Sequence, residues 1–178
     1  TMGLSGTGKS VIARELAPRL DAEILQTDVL RKELLGIVPT ERHMEAFGAG
    51  IYSEEVSART YDEAIRRARA HLETGRSVII DASFKRCSQR EAAVQAARGL
   101  GADCWVVACQ CPEDTVKGRL EARMAVPGEA SDGRWEIYLA QKGDFDPLNE
   151  TPGSRLLVVD TSAAPEVCAE RVLEEIQG

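Results

Sequence analysis

Gly3-Leu4-Ser5-Gly6-Thr7-Gly8-Lys9-Ser10 reads G-x-x-x-x-G-K-S, and a segment of helical character, Lys9 to Leu20, follows it directly. Glycines at these places allow a tight turn and let the backbone approach phosphate oxygens closely. The pattern predicts a loop in which Ser5, Gly6, Thr7, Gly8, Lys9, Ser10 and Val11 surround the phosphates of ATP or GTP. Lys9 would reach the outer phosphates and the Ser10 hydroxyl would be available to Mg²⁺. The helix behind the loop would aim its positive end at the same anion, which a chance glycine turn would not do.

Such a loop ordinarily follows a buried strand, yet only Thr1 and Met2 precede Gly3. Met2 is therefore read as the tail of a truncated first strand, and further sequence is expected upstream. Beyond the loop, strands are predicted at Ala22–Thr27, Ser77–Asp81, Cys104–Cys109 and Leu156–Asp160. Helices are expected at Val29–Leu35, Ser53–Thr74, Ser88–Gly99, Pro112–Met124 and Ala164–Ile176. Strand and helix alternate throughout, which implies an α/β three-layer sandwich: a parallel sheet with helices on both faces. Residues 1–178 read as a single domain with a lid segment at about 124–135, where Pro127–Gly133 (PGEASDG) is turn-rich and polar.

A length of 178 residues suits one domain with a real core. No apolar run of membrane-spanning length and no signal peptide is evident, so a cytoplasmic protein without membrane contact is expected. The net charge of −7, from 22 basic and 29 acidic residues, disfavours long nucleic acid as a partner. Cys87, Cys104, Cys109, Cys111 and Cys168 follow no metal-ligand spacing and are expected to be reduced thiols, mostly buried.

Several charged residues stand where chemistry could use them. Asp28 and Arg31 are three apart at a helix start, so they share a face and could together hold a hydroxyl and a polar or anionic group. An N-capping aspartate with an exposed arginine is the plainer alternative. Asp81 closes an apolar strand, where its carboxylate would face a Mg²⁺ held by Ser10 or else cap a turn. Lys85, Arg86 and Arg90 form a basic cluster that suits an anionic substrate or a solvated helix face. The only asparagine, Asn149, lies outside any N-K-x-D guanine signature, which argues against a GTPase switch.

With Thr27-Asp28-x-x-Arg31, Val78 to Phe84, Arg119-Leu120-x-x-Arg123 and Ser131-Asp132, nearly the whole chain resembles a family of small P-loop kinases. This family is similar to polynucleotide 5′-kinases, zeta toxin, chloramphenicol phosphotransferase and gluconate kinase. The resemblance implies a phosphotransferase that uses ATP and Mg²⁺, with a small-molecule or nucleotide-like hydroxyl acceptor. It implies Asp28 as the base, Arg31 on the substrate and Asp81 at the Walker-B position. Arg119 would lie against adenine and Arg123 near the phosphates, with Arg134 closing as a finger. Surface ion pairs with Glu113, Glu121 or Glu136 are the alternative for these three arginines. Some members carry a fused aminoglycoside-phosphotransferase-like N-terminal domain. The segments Pro39–Tyr52 and Phe84–Arg90 are expected to shape the acceptor pocket. An ATP-binding regulatory module and a polynucleotide 5′-hydroxyl kinase stand as the competing readings.

Overall fold

The computed structural model describes residues 1–38, 48–125, 133–149 and 152–178. Most of the PGEASDG stretch, Ser131-Asp132 and most of the segment 39–52 lie outside the described residues. In order, the elements are α1 (Lys9–Leu16), β1 (Ala22–Gln26), α2 (Thr27–Leu34), α3 (Glu54–Glu73), β2 (Ser77–Asp81), α4 (Cys87–Arg98), β3 (Trp105–Gln110), α5 (Glu113–Met124), α6 (Trp135–Gly143), β4 (Arg155–Asp160) and α7 (Pro165–Gln177).

β1 pairs in parallel with β2, and β3 with β4. Thr1–Gly3 joins the two pairs. Met2 N–H donates to Val107 O at 2.8 Å and Cys109 N–H donates back to Met2 O at 2.8 Å, while Ala82 N–H donates to Thr1 O at 3.2 Å. These residues thus occupy the place of a central strand between β2 and β3, as the reading of Met2 anticipated. Beside Thr1, away from the loop, a cavity of about 560 Å³ opens between the same strands, lined by Val78, Ile80, Val106 and Leu72 among others.

Strand alternation sorts the core into two faces. Val107, Cys109 and Val159 pack with Ile12 and Leu16 of α1 and with Cys168, Ala169 and Val172 of α7. Their neighbours Ala108 and Val106 point the other way, to a cluster containing Tyr61, Phe84, Phe145 and Leu148. Leu25 and Leu30 meet Ala64 and Ala68 of α3 on that second side. Helices therefore cover both faces, as the strand-helix alternation implied.

Two boundaries and one element differ from expectation. α1 ends at Leu16 and continues as a 3₁₀ turn over Ala17–Arg19, because Pro18 has no N–H to extend the ladder. Pro112 stands at the N-cap of α5, one place before its first turn. α6 was not anticipated at all.

Candidate active site

The phosphate loop is shaped by its glycines. Gly6 has φ 81° and Gly8 φ 87°, a left-handed region that disfavours side chains. A Cβ on Gly6 would stand 2.9 Å from Leu120 Cγ and from Val116 Cγ1, so α5 presses directly against the loop. Thr7 braces the turn from inside, its hydroxyl donating to Leu4 O at 2.8 Å. Gly8 then caps α1, whose first residues are Lys9, Ser10 and Val11.

Two residues fasten the far end of the loop. The Thr161 hydroxyl, just past β4, donates to Thr7 O at 2.7 Å. Arg119 of α5 donates through Nη2 to Thr161 O at 2.6 Å and through Nη1 to Thr161 Oγ1 at 3.2 Å. Arg119 thus reaches the loop beside Gly8. Arg123, one turn on, is half-buried and does not line the cleft described next.

In front of the loop lies a cleft of about 90 Å³ that brings together Lys9, Ser10, Asp28, Arg31, Asp81, Lys85 and Arg134. Asp28 sits in the first turn of α2, whose N-cap is Gln26, so capping is not the role this fold gives it. Arg31 is 6% exposed. It donates to Ile51 O and Ser57 Oγ, each at 3.2 Å, and stacks over Tyr52 at 4.8 Å. Its buried Nε has no hydrogen-bond partner among the described residues.

Asp81 is 2% exposed at the end of β2 and lines the cleft together with Ser10. No group of three or more His, Cys, Asp or Glu side chains that could hold a metal occurs among the described residues. The Asp81 carboxylate and the Ser10 hydroxyl fit Mg²⁺, for which phosphate oxygens and water would complete the octahedron.

The basic cluster divides. Lys85 lines the cleft and pairs with Asp144 at 2.7 Å. Arg86 and Arg90 do not line it. Arg86 pairs with Asp144 at 2.6 Å and Asp146 at 3.3 Å. Arg90, 2% exposed, donates to Phe84 O and Pro147 O, each at 2.8 Å. Both guanidinium groups clip residues 144–147 onto the start of α4. Lys85, then Arg86, holds the Asp144 carboxyl below its usual range. Arg134 lines the cleft and stands 3.8 Å from Glu136.

Of the Phe84–Arg90 segment expected to shape the acceptor pocket, Lys85 and Gln89 line the cleft, which also contains side chains that the sequence did not single out, among them Tyr61, Ser57, Ile137 and Gln141. Tyr61 of α3 accepts from Phe84 N–H at 2.9 Å and lies 3.3 Å from Ser83 Oγ; burial pushes its phenol up. Phe84 is held at φ 49°, an uncommon conformation for an aromatic residue, directly after Ser83. Gln26, Ser57, Gln89, Ile137 and Gln141 complete the wall. These come from five separate elements or junctions, and no motif spans them. The helical period alone could have paired Ser57 with Tyr61.

The family model for AAA_33, described as an AAA domain, matches residues 1–148. The chain belongs to this family. An uncharacterized protein of Mycobacterium tuberculosis and one of Mycobacterium bovis are each 30% identical over 146 residues, covering 81% of this chain and 29% of their own length. The chain thus spans less than a third of the length of these relatives. Among solved structures, a sugar kinase from Janibacter sp. HTCC2649 superposes with a TM-score of 0.73 at 20% identity, covering 99% of this chain and 91% of that one. The APS kinase CysC of Mycobacterium tuberculosis, solved with AMPPNP and APS, gives 0.69 at 19%, covering 99% and 95%. A gluconokinase from Sinorhizobium meliloti gives 0.63 at 16%, covering 99% and 93%. At these identities the likeness establishes the fold. No helix among the described residues is long and apolar enough to cross a membrane.

Proposed function

We propose that this AAA_33 chain transfers the γ-phosphoryl group of ATP to a hydroxyl of a small molecule. The observation that carries this reading is the convergence of Asp28 on the same cleft as Lys9, Ser10 and Asp81. A module that only bound ATP would need the loop and an adenine pocket, and no carboxylate facing the terminal phosphate.

In this reading the acceptor hydroxyl gives its proton to the Asp28 carboxylate while its oxygen attacks the γ-phosphorus. The bond from that phosphorus to the β-phosphate oxygen breaks, and ADP leaves. Lys9 and Arg134 balance the charge spread over the phosphoryl oxygens, while Arg123, outside the cleft, would have to move from α5 to join them. Ser10 and Asp81 would hold Mg²⁺, which supplies charge neutralisation between the outer phosphates. Arg119 lies on the nucleoside side, and Arg31 and Lys85 face the acceptor.

The narrow cleft and the net charge of −7 favour a small acceptor over a polynucleotide end. A screen of ATP consumption against hydroxylated metabolites tests the proposal, with Lys9→Ala as the control. Acceptor-dependent ADP release by the parental chain, lost in the folded control, is the expected result. Tight ATP binding with no acceptor across sugars, polyols and nucleosides would favour the regulatory module.

A further inference from the structure

One backbone donor of the phosphate loop is already engaged. Ser5 N–H donates to the side-chain oxygen Oε1 of Gln141 at 2.8 Å, across 136 positions of sequence. Loop N–H groups that face a cleft are anion donors, so the Gln141 oxygen stands where an anionic oxygen would otherwise be received.

The way α6 is mounted explains how Gln141 gets there. Trp135 and Tyr138 pack against Val116 and Leu120 of α5 and against Leu4 of the loop. Lys142 pairs with Glu113 of α5. Trp135, Tyr138 and Lys142 follow the helical period and form the fixed face. Arg134, Ile137 and Gln141 follow the same period one step round, and all three line the cleft.

Position along the loop decides which phosphate is concerned. Gly8 lies beside Thr161 and Arg119, which do not line the cleft, whereas Ser5 shares the cleft with Asp28 and Lys85. Ser5 is thus at the acceptor end of the loop, where the last phosphate of a triphosphate would sit.

We propose that Gln141 reads the terminal phosphoryl group: its amide oxygen holds Ser5 N–H until that group arrives, and its amide nitrogen then donates to a phosphoryl oxygen. This rests on the phosphotransferase reading above. A glutamine suits the task because one rotation of its amide exchanges acceptor for donor. A carboxylate in its place would grip Ser5 N–H and repel phosphate in both states. Gln141 is a positioning residue for the phosphoryl group that is to be transferred. A diphosphate, ending one group short, would leave the Ser5–Gln141 bond in place.

Calorimetry with Mg²⁺-AMPPNP and Mg²⁺-ADP on the parental chain, Gln141→Glu and Gln141→Met tests this. Gln141→Glu is expected to weaken AMPPNP binding by about tenfold or more and ADP binding by less than about threefold, the scale of a charge-assisted hydrogen bond. Gln141→Met is expected to weaken AMPPNP by about threefold with ADP unchanged, as for a neutral bond. Backbone amide NMR of the parental chain adds a readout independent of any variant: the Ser5 resonance should move with AMPPNP and stay with ADP. Equal losses for both nucleotides, parental ratios in both variants, or a Ser5 shift identical with either nucleotide would overturn the role of Gln141 alone. A parental chain that binds neither nucleotide would overturn both this role and the phosphotransferase reading.

Discussion

The two walls of the cleft are built by different means. The wall that the proposed function gives to the nucleotide is one continuous loop whose shape is set by backbone, with Gly6 and Gly8 at φ 81° and 87°. The facing wall, which the proposed function gives to the acceptor, is made of side chains from α2, α3, α4, α6 and the β2 exit, each placed by tertiary packing. A wall of backbone binds what all triphosphates share, whereas a wall of scattered side chains can change its ligand one residue at a time.

The sharpest way to separate the walls is Asp28→Asn. It keeps the side-chain shape and removes the proton acceptor, so transfer should fall by roughly 10²–10⁴ while ATP affinity stays within about twofold. A coupled ADP-release assay and calorimetry measure the two quantities. Equal losses in both would mean that Asp28 belongs to the nucleotide wall.

Gly6→Ala attacks the opposite wall. The new Cβ would meet Leu120 and Val116 at 2.9 Å from a left-handed backbone. Urea denaturation should show about 1–3 kcal/mol of lost stability together with weakened ATP binding. An unchanged midpoint would show that α5 can retreat from the loop.

The contrast in legibility has the same origin. Glycine spacing specifies a local conformation, so the loop, Lys9 and Ser10 were readable, as were the strand that ends at Asp81 and the strand-to-helix junction that carries Asp28, although Asp28 falls in the first turn of α2 rather than at the strand end. Arg86 and Arg90 looked like the equals of Lys85 because a charge run does not reveal its partners. The partners, Asp144, Asp146 and the Phe84 and Pro147 carbonyls, lie up to 60 residues away. α6 escaped notice because it has two working faces. Trp135 and Tyr138 face α5 while Ile137 and Gln141 face the cleft, so no single apolar stripe marks it.

Arg90→Met probes the support behind the acceptor wall. It removes two donors and leaves the Phe84 and Pro147 carbonyls without them, which should lower stability by about 1–3 kcal/mol. ATP affinity should not change, since Arg90 stands outside the cleft. Thermal melts and nucleotide titration check the pair of outcomes.

The smallest effect concerns pH. Asp144 has its carboxyl held below the ordinary 3.8 by Lys85 and then Arg86. A depressed folded value stabilises the native state above the unfolded one, and that contribution is lost as pH falls through and below this range. Asp144 is partly exposed, so the contribution is modest. Melting temperatures from pH 6 to pH 3 should therefore fall slightly more steeply for the parental chain than for Asp144→Asn. Parallel curves would show that the clip is held by hydrogen bonds to backbone rather than by charge.

Cys109 gives the loop a built-in clock. It is 1% exposed beneath Gly3, in the same cluster as Cys168, and burial pushes its thiol up to about 11. Cys87, Cys104 and Cys111 are only half-buried. A thiol reagent should therefore label the chain in two phases, fast at those three positions and slow at Cys109 and Cys168. The Cys109 part of the slow phase counts how often the sheet parts beneath the phosphate loop, and nucleotide binding should slow it in proportion to its hold on the closed state.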